Sequence, residues 1–300
     1  MAAAPITWPQ KTREHRNVLM DSTRWNGFPF RDDDIIIATW GKSGTTWTQQ
    51  IVGELVFRGA DVVAHDVSPW LDLAFIPLND ILERLEAQTH RRFIKTHLPL
   101  DALVFSPKAK YIYVGRDGRD CLWSWHNHYV SFTEQAYELV NNRPDRAGPP
   151  LERSLEDVVE YFRQWLDGKD LPLSDFWSHY QGWFDARRLP NVLLLHFNHL
   201  KADLPGQMRR IADFLEIEIE EPLWPTLIEH CSLDYMRKAS SGSPLLQLGF
   251  KHGAADFFYR GTNGRWRDLL TADDLEKYER TVRERLSPEC ARWLATGDLD

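Results

Sequence analysis

Four short apolar runs, set among stretches of helical period, leave this chain few ways to fold. They are Ile35 to Ala38, "RRFIKTHLP" from residue 91, "KYIYVGR" from residue 110 and "NVLLLHF" from residue 191. Runs of this length, rich in β-branched and aromatic residues, read as strands buried on both faces, and helices must supply the cover. "TTWTQQIVGELVF" and "DGRDCLWSWHNHYV" place apolar residues at helical intervals directly after two of them. Further helices are expected over "SLEDVVEYFRQWLDG", opened by an N-cap at Ser154 and closed at Gly168, over "SDFWSHYQGWFDARR", near 205–216 and 222–231, and from Thr271 onward. The expectation is one α/β domain spanning residues 1–300, a three-layer parallel sheet with helices on both faces. A polar lead fills residues 1–30, and two Pro/Gly/Ser-rich stretches, 132–153 and 239–264, read as mobile loops.

Charge narrows the partners. A net charge of −8 with pI near 5.8 excludes a broad basic face for nucleic acid, so any anion site must be local. Cys121, Cys231 and Cys290 are odd in number and far apart, which suits a reducing cytoplasm and neither a disulfide framework nor a zinc knuckle. The start, "MAAAPITWPQKTREHR", turns polar too early for a signal peptide, and no stretch approaches the roughly 18 apolar residues of a membrane span.

The joint between the first strand and its helix, "TWGKSGTTW" at 39–47, carries the first chemical signal. A helix N-terminus presents unpaired N–H groups and the positive end of the dipole; Lys42 adds charge, Gly44 close approach, and Ser43, Thr45 and Thr46 hydroxyls. The loop suits a phosphate or sulfate. It is not the nucleoside-triphosphate loop, because the first glycine of that motif falls on Ile36. The same letters also fit a capped helix with Lys42 a solvated charge.

Three more clusters bear on the choice. In "IKTHLP", Lys95 and His97 are two apart on an extended segment and share a side, at a strand end where open α/β sheets hold ligands. In "GRDGRDCLWS", Arg116 ends a strand and Ser124 lies two turns into the next helix; both suit a second anion, or Arg116 pairs with Asp117 or Asp120. In "FFYRGTNGRW", Arg260 and Gly261 lie in a glycine-containing loop able to close over an anion. His126 and His128 suggest a metal, but residues two apart on a helix diverge.

In this order and spacing, from about residue 35 to 276, the four clusters resemble the cytosolic sulfotransferases that use 3′-phosphoadenosine 5′-phosphosulfate (PAPS), with the look of a bacterial member. The resemblance implies the sulfotransferase variant of the P-loop nucleoside-triphosphate-hydrolase fold. It makes Lys42, Ser43, Gly44, Thr45 and Thr46 the 5′-phosphosulfate loop, with Trp47 packing on adenine. Lys95 and His97 match the catalytic lysine and histidine, Arg116 and Ser124 the 3′-phosphate ligands, and Arg260 with Gly261 the end of the C-terminal glycine motif. Four positions differ from the family pattern: Phe197 replaces a tyrosine, Cys231 a threonine or serine, Leu233 an aromatic and Tyr259 a basic residue. Arg119 and Arg265 are candidates to compensate. "RDLLTADDLE" matches the family's dimerisation segment only in part, Ala272 standing for valine, which leaves a homodimer open.

The expected reaction is in-line transfer of a sulfuryl group from PAPS to an acceptor hydroxyl, or less readily an amine, leaving adenosine 3′,5′-bisphosphate (PAP). Lys42 and Lys95 stabilise charge, His97 is the base, and no metal is called for. Trp70 and Phe75, in or beside "SPWLDLAF", are expected to wall an apolar or aromatic small-molecule acceptor. The rivals are a P-loop nucleotide-dependent kinase, suggested by "GKS" and "IYVGRD", and a non-catalytic nucleotide-binding relative.

Overall fold

A computed structural model describes residues 6–60, 63–169 and 173–299; the first five residues of the polar lead lie outside them. Four parallel strands, β1 (Ile35–Ala38), β2 (Phe93–Thr96), β3 (Lys110–Gly115) and β4 (Val192–His196), form one sheet in the order β2-β1-β3-β4. Ile37 stands opposite Lys95 on one side and Ile112 on the other. Successive residues of each strand enter opposite cores. Ile36, Ile94, Tyr111 and Leu194 pack on one face, and Ile35, Ile37, Ile112 and Leu195 on the other, which is why these runs lack polar alternation. The three-layer α/β fold is the expected one.

At the sheet's lower edge Arg92 donates from Nε and Nη2 to the Asp34 carboxylate at 2.7 and 2.6 Å, clamping the entries of β1 and β2. Both side chains are buried, and their bidentate geometry offsets the cost of removing two charges from water. The exits matter for function. The chain leaves β1 toward β2 and leaves β3 toward β4, so the two connections diverge and a crevice opens above the β1/β3 boundary.

Several local expectations need correction. The helix after the 132–153 excursion spans Val158–Leu166 and is capped by Asp157, not Ser154, because the Asp157 carboxylate accepts from Val159 N and Glu160 N beside the amphipathic run. Between β2 and β3 the chain makes a single 3-10 turn, Leu100–Ala102. The two supposed loops contain helices, Glu134–Asn141 in the first and Pro244–Gly249 and Ala254–Phe257 in the second. Thr133 caps the first of these and Ser243 the second. The two segments also bind each other: Thr133 N donates to Gly249 O at 3.1 Å and Lys251 N to Ser131 O at 2.9 Å, beside an apolar cluster of Met236, Leu246, Phe250 and Phe258.

Candidate active site

The loop after β1 turns through Lys42 at φ 65° and Gly44 at φ 113°, both left-handed. Glycine suits the second position twice over, since a Cβ there would also lie 3.1 Å from the Phe197 ring. For lysine the conformation is strained, a feature that concentrates at functional sites. Gly44 caps the helix α1 (Thr45–Phe57) without any side-chain acceptor, so the N–H groups of its first turn face the crevice uncapped by a side chain.

The hydroxyls of this loop divide. Ser43 is fully buried, its Oγ 2.9 Å from the Tyr180 hydroxyl and 3.3 Å from Cys121 Sγ, so it anchors the loop and does not line the cavity. Thr45 Oγ1 is 2.6 Å from Thr39 Oγ1, and Thr46 is half-buried on the cavity wall. Trp47 donates from Nε1 to the carbonyl of Cys231 at 2.8 Å and meets Phe197 edge-on. Because Cys231 contributes its backbone, the loss of a hydroxyl there does not disturb that bond.

His97 follows the end of β2 and is oriented by the loop of β1. Its Nδ1 lies 2.8 Å from the Thr39 carbonyl. A carbonyl only accepts, so Nδ1 carries the proton and Nε2 keeps the lone pair. Burial first, then the nearby Lys95, hold the ring well below its ordinary pKa of 6.5, and it is neutral at physiological pH. Trp70 organises the pair: its ring meets His97 edge-on with centroids 4.7 Å apart and lies 4.4 Å from Lys95 Nζ. The indole in turn donates to buried Asp72 at 2.6 Å, and Trp25 donates to the same carboxylate at 3.1 Å.

Cations converge here in an otherwise acidic protein. Burial, together with Lys95, Arg116 and Arg265, lowers the Lys42 pKa to about 7, and burial lowers that of Lys95 to about 8. Arg116, directly after β3, pairs with neither Asp117 nor Asp120. It donates to Lys42 O at 2.9 Å and to Asn263 Oδ1 at 2.8 and 3.0 Å, with its guanidinium 4.2 Å from the Phe197 ring. The Arg116 grip ties the C-terminal glycine loop to the strand ends, and Lys201 holds Gly261 O at 2.8 Å. Arg260 is exposed at the rim. Of the two compensating candidates, Arg265 lines the cavity, whereas Arg119 is bound to Asp117 at 2.7 Å and stacked on Trp266, away from it.

One cavity of about 690 Å³ joins these groups. Lys42, Thr46, Trp47, Arg116, Ser124 and Leu233 line it together with His97 and Lys95, and Trp70, Phe75 and Ile81 add apolar wall. Both covering segments contribute, through Leu139 and Val140 on one side and Leu245 and Leu248 on the other.

His126 and His128 diverge as helical spacing requires, His126 Nε2 reaching Leu155 O at 2.7 Å and His128 Nδ1 reaching Lys42 Nζ at 3.1 Å. The Lys42 contact was missed in the sequence. Its only signal was that His128 lies four residues beyond Ser124, on the same helix face.

A family model described as a sulfotransferase domain matches residues 32–288. A glycolipid sulfotransferase of Mycobacterium bovis is 34% identical over 94% of each chain, and a second protein, sulfotransferase 2A6 of Rattus norvegicus, is 28% identical over 87% of each. Among solved structures, mouse sulfotransferase SULT7A1 complexed with PAP superposes with a TM-score of 0.68 at 20% identity, covering 91% of this chain and 92% of that one. A complex of retinol dehydratase with retinol and PAP superposes equally well, TM-score 0.68 at 23% identity, over 89% of this chain and 84% of its own. At these identities the structural likeness is one of fold. Together with a family match over most of the length, and with the strand-end lysines, histidine and arginine brought to one crevice, it leaves one conclusion: this chain belongs to the sulfotransferase family.

Proposed function

We propose that the chain moves a sulfuryl group from PAPS to a hydroxyl of a small acceptor with an apolar part, leaving PAP. The observation that carries this reading is the His97 ring, whose Nδ1 proton is committed to Thr39 O so that Nε2 is the basic atom beside Lys42 and Lys95. The 5′-phosphosulfate would lie on the α1 N-terminus with Lys42, Gly44, Thr45 and Thr46 around it, and the backbone of Ser43 contributing where its hydroxyl cannot. Arg116 and Ser124 would take the 3′-phosphate, with Arg260, Gly261 and Arg265 closing the loop over it; Trp47 and Phe197 would pack near the base.

In the chemical step the acceptor oxygen attacks sulfur from the side opposite the bridging oxygen. Its proton passes to His97 Nε2, the new O–S bond forms, and the S–O bond to phosphate breaks with the electron pair leaving on PAP. Lys42 and Lys95 stabilise the charge collecting on the bridging and sulfuryl oxygens, work a fixed cation performs best in a site closed to water. The donor's negative charge also counters the two lysines that depress His97, so the ring becomes a stronger base once the donor is bound.

The apolar side chains of the lining favour an acceptor with a hydrocarbon or aromatic portion, and the name of the glycolipid sulfotransferase relative points the same way. Substituting His97→Ala is expected to reduce transfer by at least about a hundredfold while PAP binding persists, the range general-base removal produces. Turnover of labelled PAPS near the wild-type rate would refute the assignment.

A further inference from the structure

The imidazole of His128 has no part in the steps above, yet it makes the polar contact to Lys42. It stands one turn beyond Ser124 on the helix Gly118–Val130 and lines the cavity. Its Nδ1 is 3.1 Å from Lys42 Nζ; an ammonium only donates, so Nδ1 accepts and Nε2 carries the ring proton. Aromatic neighbours hold the ring in place, Phe250 at 4.7 Å, Phe132 at 5.1 Å and Phe257 at 5.6 Å between centroids. Phe257 also lies 5.1 Å from Lys42 Nζ, so histidine and phenylalanine together cradle the ammonium.

We infer that His128 is a positioning residue for donor binding: it accepts from one N–H of the Lys42 ammonium and keeps that contact while the other two turn to the phosphosulfate oxygens. The inference rests on PAPS being the donor. Among the described residues the charges that bear most on Lys42 are cations, Lys95 from β2, Arg116 from the end of β3 and Arg265 from the C-terminal loop. His97 also faces His128, and burial with these cations keeps the His128 ring neutral and able to accept. Without an acceptor at position 128 the lysine stands among like charges, where losing its proton is easier than keeping it. A neutral lysine cannot pair with an anion.

The test is PAP binding, measured by calorimetry between about pH 6 and 9, for the wild type, His128→Phe and His128→Asn. Phenylalanine keeps the aromatic packing and removes the acceptor; asparagine restores an acceptor near the place of Nδ1. Wild-type affinity is expected to fall as the pH rises above about 7, where Lys42 loses its proton. His128→Phe should bind about tenfold more weakly at neutral pH, the lower end of what a hydrogen bond to a charged group contributes, with the fall beginning at lower pH. His128→Asn should recover most of the affinity and the wild-type profile. Equal binding and an unchanged profile in His128→Phe would overturn the inference, as would equal losses in both variants with the wild-type profile kept, the mark of packing alone. Wild-type protein that fails to bind PAP would overturn the donor reading, and this inference with it. Should His128→Phe not fold, His128→Leu removes the acceptor equally.

Discussion

Lys42 shows how one side chain can serve a site at the expense of the fold. In the unfolded chain its pKa is the ordinary 10.5, and in the folded protein it is about 7. Between those values the unfolded chain binds more protons, so stability rises with pH across that window, and the penalty for burying the charge is fully present below about pH 7. Lys42→Met keeps the stem and removes the charge. It should raise the melting temperature of the ligand-free protein at pH 7, the gain fading as the pH approaches 10.5, while PAP loses most of its stabilising effect. A melting temperature below the wild-type value at pH 7, read by calorimetry, would contradict the assignment. His97 and Arg116 express the same logic: groups whose charge or lone pair the proposed reaction uses are held by backbone carbonyls and amide side chains, which position them without neutralising them.

At the scale of elements, helix ends do two kinds of work. The N-terminus of α1 has no side-chain cap and faces the cavity. That of the helix Ala272–Arg285 is closed by a capping box, Thr271 Oγ1 accepting from Asp274 N at 3.2 Å and Thr271 N donating to the Asp274 carboxylate at 3.0 Å. Arg163 adds a fork onto the same carboxylate at 2.9 and 3.0 Å, tying this helix to Val158–Leu166 and holding Asp274 well below the usual carboxylate range. Thr271→Ala should cost about 1 kcal/mol and lower the melting temperature by about 1.5–2 °C without changing PAP affinity. A changed affinity would show that this helix reaches the site. The segments at 132–153 and 239–264 contain short helices and are joined to each other, so parting them means breaking the bonds of Thr133 to Gly249 and of Lys251 to Ser131.

Over the whole molecule, a net charge of −8 coexists with Lys42, Lys95, Arg116 and Arg265 gathered around one cavity. Their mutual repulsion is relieved by a polyanion, so PAP should stabilise the protein without magnesium. At a hundred times its dissociation constant it should contribute about 2.7 kcal/mol, roughly a 5 °C rise in melting temperature. A rise produced only by ATP with magnesium would favour the kinase reading instead.

The strand runs, the joint "TWGKSGTTW" and the order of its partner clusters were legible in the sequence because they depend on local period and on chemistry spaced a few residues apart. Ile36 alone sufficed to exclude the triphosphate loop. What only the tertiary structure decided were contacts between distant residues: Ser43 turned inward to Tyr180, 137 positions away, and Arg116 placed on Asn263, 147 positions away. The Lys42 contact to His128 spans 86 positions. Sequence pattern reports which face of an element is buried. Which hydroxyl, imidazole or guanidinium meets which partner depends on how the elements cross, and that is set by packing on both faces of the sheet.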